Sequence, residues 1–169
     1  MTFDYVLAID PSGNFYEGKG TTGLCLFNAN KHRIVDTKSI TAKNYDTWFA
    51  YWKAVVDSIT NVFNKYKSVI VVIEDYTLYA TKAASQINSK METPKLIGVL
   101  EYYCKTKNIQ TVLQPAHMVK NRWANEILTH CGYIKLLNKR ICTANNKPVD
   151  RHAIDAIRHA VHYATFKNK

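Results

Sequence analysis

The run Ser68-Val69-Ile70-Val71-Val72-Ile73 leaves this chain the least choice of structure. Five consecutive β-branched residues favour an extended backbone. A strand with one wet face alternates apolar and polar residues, and this one does not. It therefore reads as a central strand, covered on both faces. The run ends on Glu74-Asp75, so a carboxylate falls where a buried strand meets solvent.

Tyr5-Val6-Leu7-Ala8-Ile9-Asp10-Pro11-Ser12 follows the same plan. Its apolar residues read as a second buried strand, and Pro11 stops the ladder because it has no N–H to donate. Asp10 then stands at the last position of that strand, pointing out of the sheet end. An Asp before Pro-Ser-Gly also suits a simple turn. The repetition at Glu74 favours a site.

The rest of the chain alternates strand and helix patterns. Residues 21–27 and 33–40 read as strands joined by the turn Asn28-Ala29-Asn30. Residues 46–66 form an amphipathic helix whose core stripe is Trp48, Trp52, Val55, Ile59 and Val62, with Phe49, Val56 and Phe63 beside it. The polar stretch 76–93 reads as part helix and part loop. Thr93-Pro94 looks like an N-cap and first helical position for a helix to about residue 107. Residues 109–113 read as a fifth strand, 116–130 as one helix, 136–148 as an exposed basic connection, and 149–166 as the last helix. The expected class is α/β: a mixed five-stranded sheet, made of a three-strand antiparallel meander plus two parallel strands, with helices on both faces. The 169 residues suffice for one domain, 1–169.

Gly13-Asn14-Phe15-Tyr16-Glu17-Gly18-Lys19 fits the phosphate-loop pattern G-x-x-x-x-G-K. It is rejected. Gly20 stands where Ser or Thr must meet magnesium, and a strand follows where a helix must open. No nucleotide cofactor is expected.

The formal net charge is +10. Such an excess on a small domain favours a polyanionic partner, most often nucleic acid. Cys25, Cys104, Cys131 and Cys142 form no CxxC pair and read as reduced thiols. No basic leader opens the chain and no apolar run is long enough to span a membrane. The expectation is a cytoplasmic protein without membrane contact.

In the last helix, His152, Asp155, His159 and His162 share one face, and Ala153, Ile157, Ala160 and Ala164 another. The apolar face must pack on the sheet, which turns the His/Asp face towards the strand ends. Asp10, Glu74 and Asp155 then converge. Two like charges at 4 Å cost about 4 kcal/mol at an effective dielectric of 20, so the cluster calls for a cation. Oxygen ligands with few nitrogens suit magnesium or manganese. Two such ions about 4 Å apart support phosphodiester hydrolysis.

These segments, taken in order, resemble the RuvC family of Holliday-junction resolvases within the ribonuclease-H-like superfamily. Ala8-Ile9-Asp10-Pro11 with Thr22-Gly23 looks like the family's first motif, and Val72-Ile73-Glu74 like its second. Val119-Lys120 resembles its basic segment, and His152-Ala153-Ile154-Asp155-Ala156 its fourth motif in the histidine-containing form. The small size and the abundance of Lys, Asn and Tyr look like a phage-encoded member. The resemblance implies that Asp10 bridges two Mg2+ or Mn2+ ions, that Glu74 holds one and Asp155 with His152 the other, and that Lys120 meets the scissile phosphate. It also implies a homodimer that resolves branched DNA, above all four-way junctions, by paired nicks. Ser12, Asn121-Arg122-Trp123 and Thr77 depart from the family pattern.

Tyr76 and Tyr79, which follow Glu74, are candidates for stacking on unpaired bases at a junction. Lys82 and Lys90 are candidates for phosphate contact. Phe15, Tyr16 and Lys19 of the long loop after the first strand, and Arg122, complete the DNA-binding candidates. Two readings stay open beside the resolvase: another ribonuclease-H-like nuclease acting on hybrids or on branched DNA in general, and a non-catalytic junction-binding protein of the same fold.

Overall fold

The computed structural model describes residues 2–16, 18–76 and 90–168. Five strands form one sheet in the order β3-β2-β1-β4-β5. β1 (Tyr5–Asp10) pairs antiparallel with β2 (Thr21–Asn28), which pairs antiparallel with β3 (Arg33–Thr41). On its other side β1 runs parallel to β4 (Val69–Asp75), and β4 runs parallel to β5 (Thr111–Pro115). This is the meander plus two parallel strands read from the sequence.

The unbroken apolar runs divide between two cores, as alternate side chains of a doubly covered strand must. Leu7, Ile9, Val71 and Ile73 face α1 (Trp48–Lys65) and α2 (Glu92–Thr106), meeting Tyr51, Val55, Ile59, Leu96 and Leu100. Val6, Ala8, Ile70 and Val72 face the last helix, α5 (Arg151–Phe166), and meet Ile154, Ile157, Ala160 and Val161. Among the described residues no helix is long and apolar enough to cross a membrane.

Four local expectations are corrected. The aromatic stripe of α1 does not begin in the core: Trp48 and Phe49 are 42% and 62% exposed, while Tyr51 is fully buried. Both exposed rings lie in the first turn, where Trp48 meets Trp52 edge-on at the margin of the core. Thr93 does not cap α2, which already begins at Glu92; its hydroxyl accepts the Gly13 N–H instead. Residues 116–130 are two short helices, α3 (His117–Lys120) and α4 (Asn125–His130). The break falls at buried Trp123, whose carbonyl accepts from Arg158 Nε of α5. The segment 136–148 is not a plain connection either. Together with the residues just before it, it forms a hairpin of β6 (Ile134–Leu137) and β7 (Arg140–Thr143). Asn138 and Lys139 turn it with φ of 48° and 62°, the left-handed pair that two-residue hairpin turns require.

Two packing details aim the site. The loop after Asp10 is held by α1: the Tyr51 hydroxyl donates to the Ser12 carbonyl at 2.5 Å and meets buried Thr22 Oγ1 at 2.9 Å, and Trp52 Nε1 donates to the Gly13 carbonyl. Burial pushes the Tyr51 phenol up to about 12, so it stays a donor. On the opposite face α5 lies directly on β2 at Gly23, where a Cβ would come within 2.1 Å of the His152 carbonyl. A side chain there must push the helix off the sheet. Gly23→Ala is expected to cost about 1–3 kcal/mol, as other forced overpacking does. Thermal unfolding monitored by circular dichroism measures this; an unchanged melting temperature would show that the helix start yields freely.

Candidate active site

β1 and β4 are in register, Ile9 beside Ile73, so Asp10 and Glu74 leave adjacent strands at the same sheet end. The close approach at Gly23 brings the first turns of α5 to that end. Asp10, Glu74 and Asp155 each offer an oxygen, and the three oxygens lie within 4.8 Å of one another. Asp10 and Asp155 are 7% and 3% exposed.

The protein supplies countercharge to each acid. Burial pushes the Asp10 carboxyl above the usual carboxylate range; the hydrogen bond from His152 Nδ1, at 2.8 Å, opposes this, and the charge of Glu74 adds to it. The same hydrogen bond is the main reason the His152 imidazole is held above its ordinary value. Burial would raise Glu74 too, but His159 and Lys120 outweigh it and hold this carboxyl below its ordinary value. Lys120 Nζ stands 3.1 Å from Glu74 and 3.2 Å from Asp155. Burial works against its charge, the two acids more than restore it, and the ammonium is held above its usual range. Arg158 pairs with Asp155 and also bonds Asn125 Oδ1.

The donor chemistry fits a hard divalent cation. Three carboxylates converge, and oxygen is what magnesium and manganese take. The acidic group could therefore hold a metal ion. Of the residues read from the sequence, Asp10, Glu74 and Asp155 form the convergent set and Lys120 joins it directly. His152 stands one hydrogen bond away, on Asp10.

Three further residues belong to the arrangement. His159 is fully buried and bridges Gln114 Oε1, at 2.6 Å, to Glu74 Oε2, at 3.0 Å. Gln114 lies beside Glu74 through the β4–β5 register. Arg158 ties α5 to the α3–α4 break. The only sequence sign of His159 was its place on the same helix face as His152 and Asp155.

The DNA-binding candidates are more scattered. Lys90 Nζ sits 3.6 Å from the centre of the Tyr16 ring, and Phe15 meets Tyr16 edge-on. Lys19 is exposed, and Tyr76 is half-buried against the α1–α2 core. Arg122 lies over the Phe166 ring at 4.4 Å, about 16 Å along α5 from Asp155 at 1.5 Å per residue. Tyr79 and Lys82 lie outside the described residues.

No protein-family model matches this sequence, and no curated protein does. Solved structures do match. The sheet, a three-strand antiparallel meander extended by two parallel strands, has the ribonuclease-H-like fold. Within it, the fold is that of RuvC. Thermus thermophilus RuvC in complex with a Holliday junction substrate aligns with a TM-score of 0.68 over 97% of this chain and 96% of its own, at 14% identity. A second Thermus thermophilus RuvC structure gives 0.64, covering 97% of each chain at 12% identity. At such identities the likeness is one of fold.

Two outcomes are expected from this geometry. Removing the support of Glu74 by His159→Ala should weaken Mn2+ binding about 10- to 100-fold, the usual range for partners that orient a ligand. Calorimetric titration reads this, and His159→Gln should recover part of the loss; equal affinity in wild type and His159→Ala would show that Glu74 needs no support. The second concerns pH. Because the folded protein holds His152 above its ordinary 6.5, its contribution to stability is whole below that value and is lost as pH rises through the raised one. In chelator, the melting-temperature gap between wild type and His152→Gln should be full below about pH 6.5 and shrink as the pH rises above it. A constant gap would mean that the Asp10 contact adds nothing.

Proposed function

We propose that this chain is a metal-dependent endonuclease that resolves four-way and other branched DNA junctions by paired nicking. The observation that carries the reading is the convergence of Asp10, Glu74 and Asp155 from β1, β4 and α5, at one end of a RuvC-like sheet. The net charge of +10 supports a polyanionic substrate. The matched RuvC bound to a Holliday junction substrate supports branched DNA as that polyanion.

In this reading residues 1–169 act as one nuclease domain, cytoplasmic and homodimeric, so that two sites face opposing strands. Asp10, Glu74 and Asp155, with His152, would hold two Mg2+ or Mn2+ ions. The chemistry such ions supply when bound is activation of a water and stabilisation of the leaving oxygen. The chain's own residues do the rest. Lys120 keeps a positive charge inside the acidic group and, in this reading, meets a phosphate oxygen. His152 orients Asp10, and His159 with Gln114 orients Glu74. Tyr16, Lys19, Tyr76, Lys90 and Arg122 contact the DNA arms, with Phe15 backing Tyr16; Tyr79 and Lys82 are assigned to the same task from sequence.

Cutting of a synthetic four-way junction, with magnesium and with chelator, tests the proposal. Asp10→Asn, Glu74→Gln and Asp155→Asn should each lower the rate about a thousandfold or more, as expected when a metal ligand is lost. Junction binding should persist, because affinity comes from the basic surface. Undiminished cutting by any one variant removes that residue from the site, and cutting in chelator removes the metal. Preferred cleavage of an RNA–DNA hybrid favours the more general nuclease. Junction binding by a wild-type protein that cuts none of these substrates favours the non-catalytic reading.

A further inference from the structure

The β6–β7 hairpin has no role in the site described above, yet its composition is unusual for a connection. From Ile127 to Val149 the sequence carries Lys135, Lys139, Arg140 and Lys147 and no acid. Lys147 is spent on an anchor, pairing with Asp36 and bonding the Thr37 carbonyl of β3. Lys135, Lys139 and Arg140 have no ion pair among the described residues. Between them stand Leu136 and Leu137, 72% and 43% exposed. Consecutive strand residues point to opposite faces, so the ribbon is apolar on both sides near its tip.

An isolated two-stranded ribbon is barely stable in water, and this one is fixed at its base. Ile134 and Cys142 are buried, Ile134 in the same cluster as Leu128 of α4. Cys142 bridges antiparallel to Pro148, and the Val149 N–H donates to the Ile141 carbonyl at 3.0 Å. Continuing that register puts Arg140 beside Asp150 and carries Asn138-Lys139 beyond it. Asp150 caps α5 two residues before His152, its carboxylate accepting the Ala153 N–H. The tip therefore projects at the same end of the sheet as the carboxylate group.

We propose that this hairpin is a DNA-contacting wedge beside the active site. Leu136 and Leu137 lie against a base pair left unstacked at the branch, and Lys135, Lys139 and Arg140 hold the flanking phosphates. A two-stranded ribbon is narrow enough to enter a groove, and apolar side chains flanked by cations are what wedge between base steps. The inference rests on the branched-DNA reading above and names the surface that would recognise the branch.

The test uses the full chain in chelator, with a four-way junction carrying 2-aminopurine at the exchange point and a linear duplex of the same sequence. Wild type should bind the junction and raise the 2-aminopurine fluorescence. Leu136→Ser with Leu137→Ser should weaken junction binding about tenfold, weaken duplex binding less, and abolish most of the fluorescence rise. Lys139→Ala with Arg140→Ala should weaken both substrates and flatten the slope of log affinity against log salt by about 1.8, or 0.9 per phosphate contact. A photocrosslinking residue placed at Asn138, in an otherwise unaltered chain, should attach to nucleotides at the branch. Crosslinks confined to the arm ends, or leucine variants with wild-type fluorescence and affinity, overturn the wedge. A wild type that binds no junction overturns the branched-DNA reading itself, an outcome that needs no variant to recognise.

Discussion

Like-charge repulsion among Asp10, Glu74 and Asp155 is the constraint this structure is built to satisfy. Each close pair costs about 4 kcal/mol at an effective dielectric of 20, while a whole domain is stable by about 5–15 kcal/mol. Acids so placed, and this well buried, need cations and hydrogen-bond donors fixed beside them. Lys120 comes from α3, and His152, Arg158 and His159 from α5. These groups are themselves tied down, Arg158 to Trp123 and Asn125 and His159 to Gln114. Before any metal enters, the chain brings cations of its own to the group, Lys120 and Arg158. Any metal that engages both Glu74 and Asp155 shares them with the Lys120 ammonium.

What was legible in the sequence is what depends on local pattern. Val69 to Ile73 and Val6 to Ile9 could be buried in only one way, and each ended on an acid. The last helix displayed its two faces by spacing alone. The misread segments depend on distant partners. Nothing local breaks residues 116–130 into two helices; the Trp123 carbonyl is drawn to an arginine 35 positions later. The hairpin strands are four residues each, too short to show alternation. His159 stood on a named face, but its partner Gln114 is set beside Glu74 by strand register, which a single sequence does not reveal.

Identities of 12–14% with TM-scores of 0.64–0.68 are consistent with how few positions this architecture constrains tightly. Two doubly buried strands accept any well-fitting apolar residues. Gly23 is different, because the helix backbone occupies the space of its side chain. So is the Tyr51–Thr22–Ser12 contact, which fixes the turn after Asp10 by hydrogen bonds rather than by bulk. Positions of this second kind carry the aim of the site, whereas the apolar strands carry its stability.

The three acids also lie far apart along the chain, at positions 10, 74 and 155, and the third stands on the last helix. During synthesis the sheet's acids emerge long before the helix that completes the group. A nascent chain ending before Asp155 holds two of the three carboxylates and lacks Arg158 and His159. The complete constellation first exists once the final helix is made and seated on Gly23. Order of translation thus delays assembly of the centre until the fold around it is nearly finished.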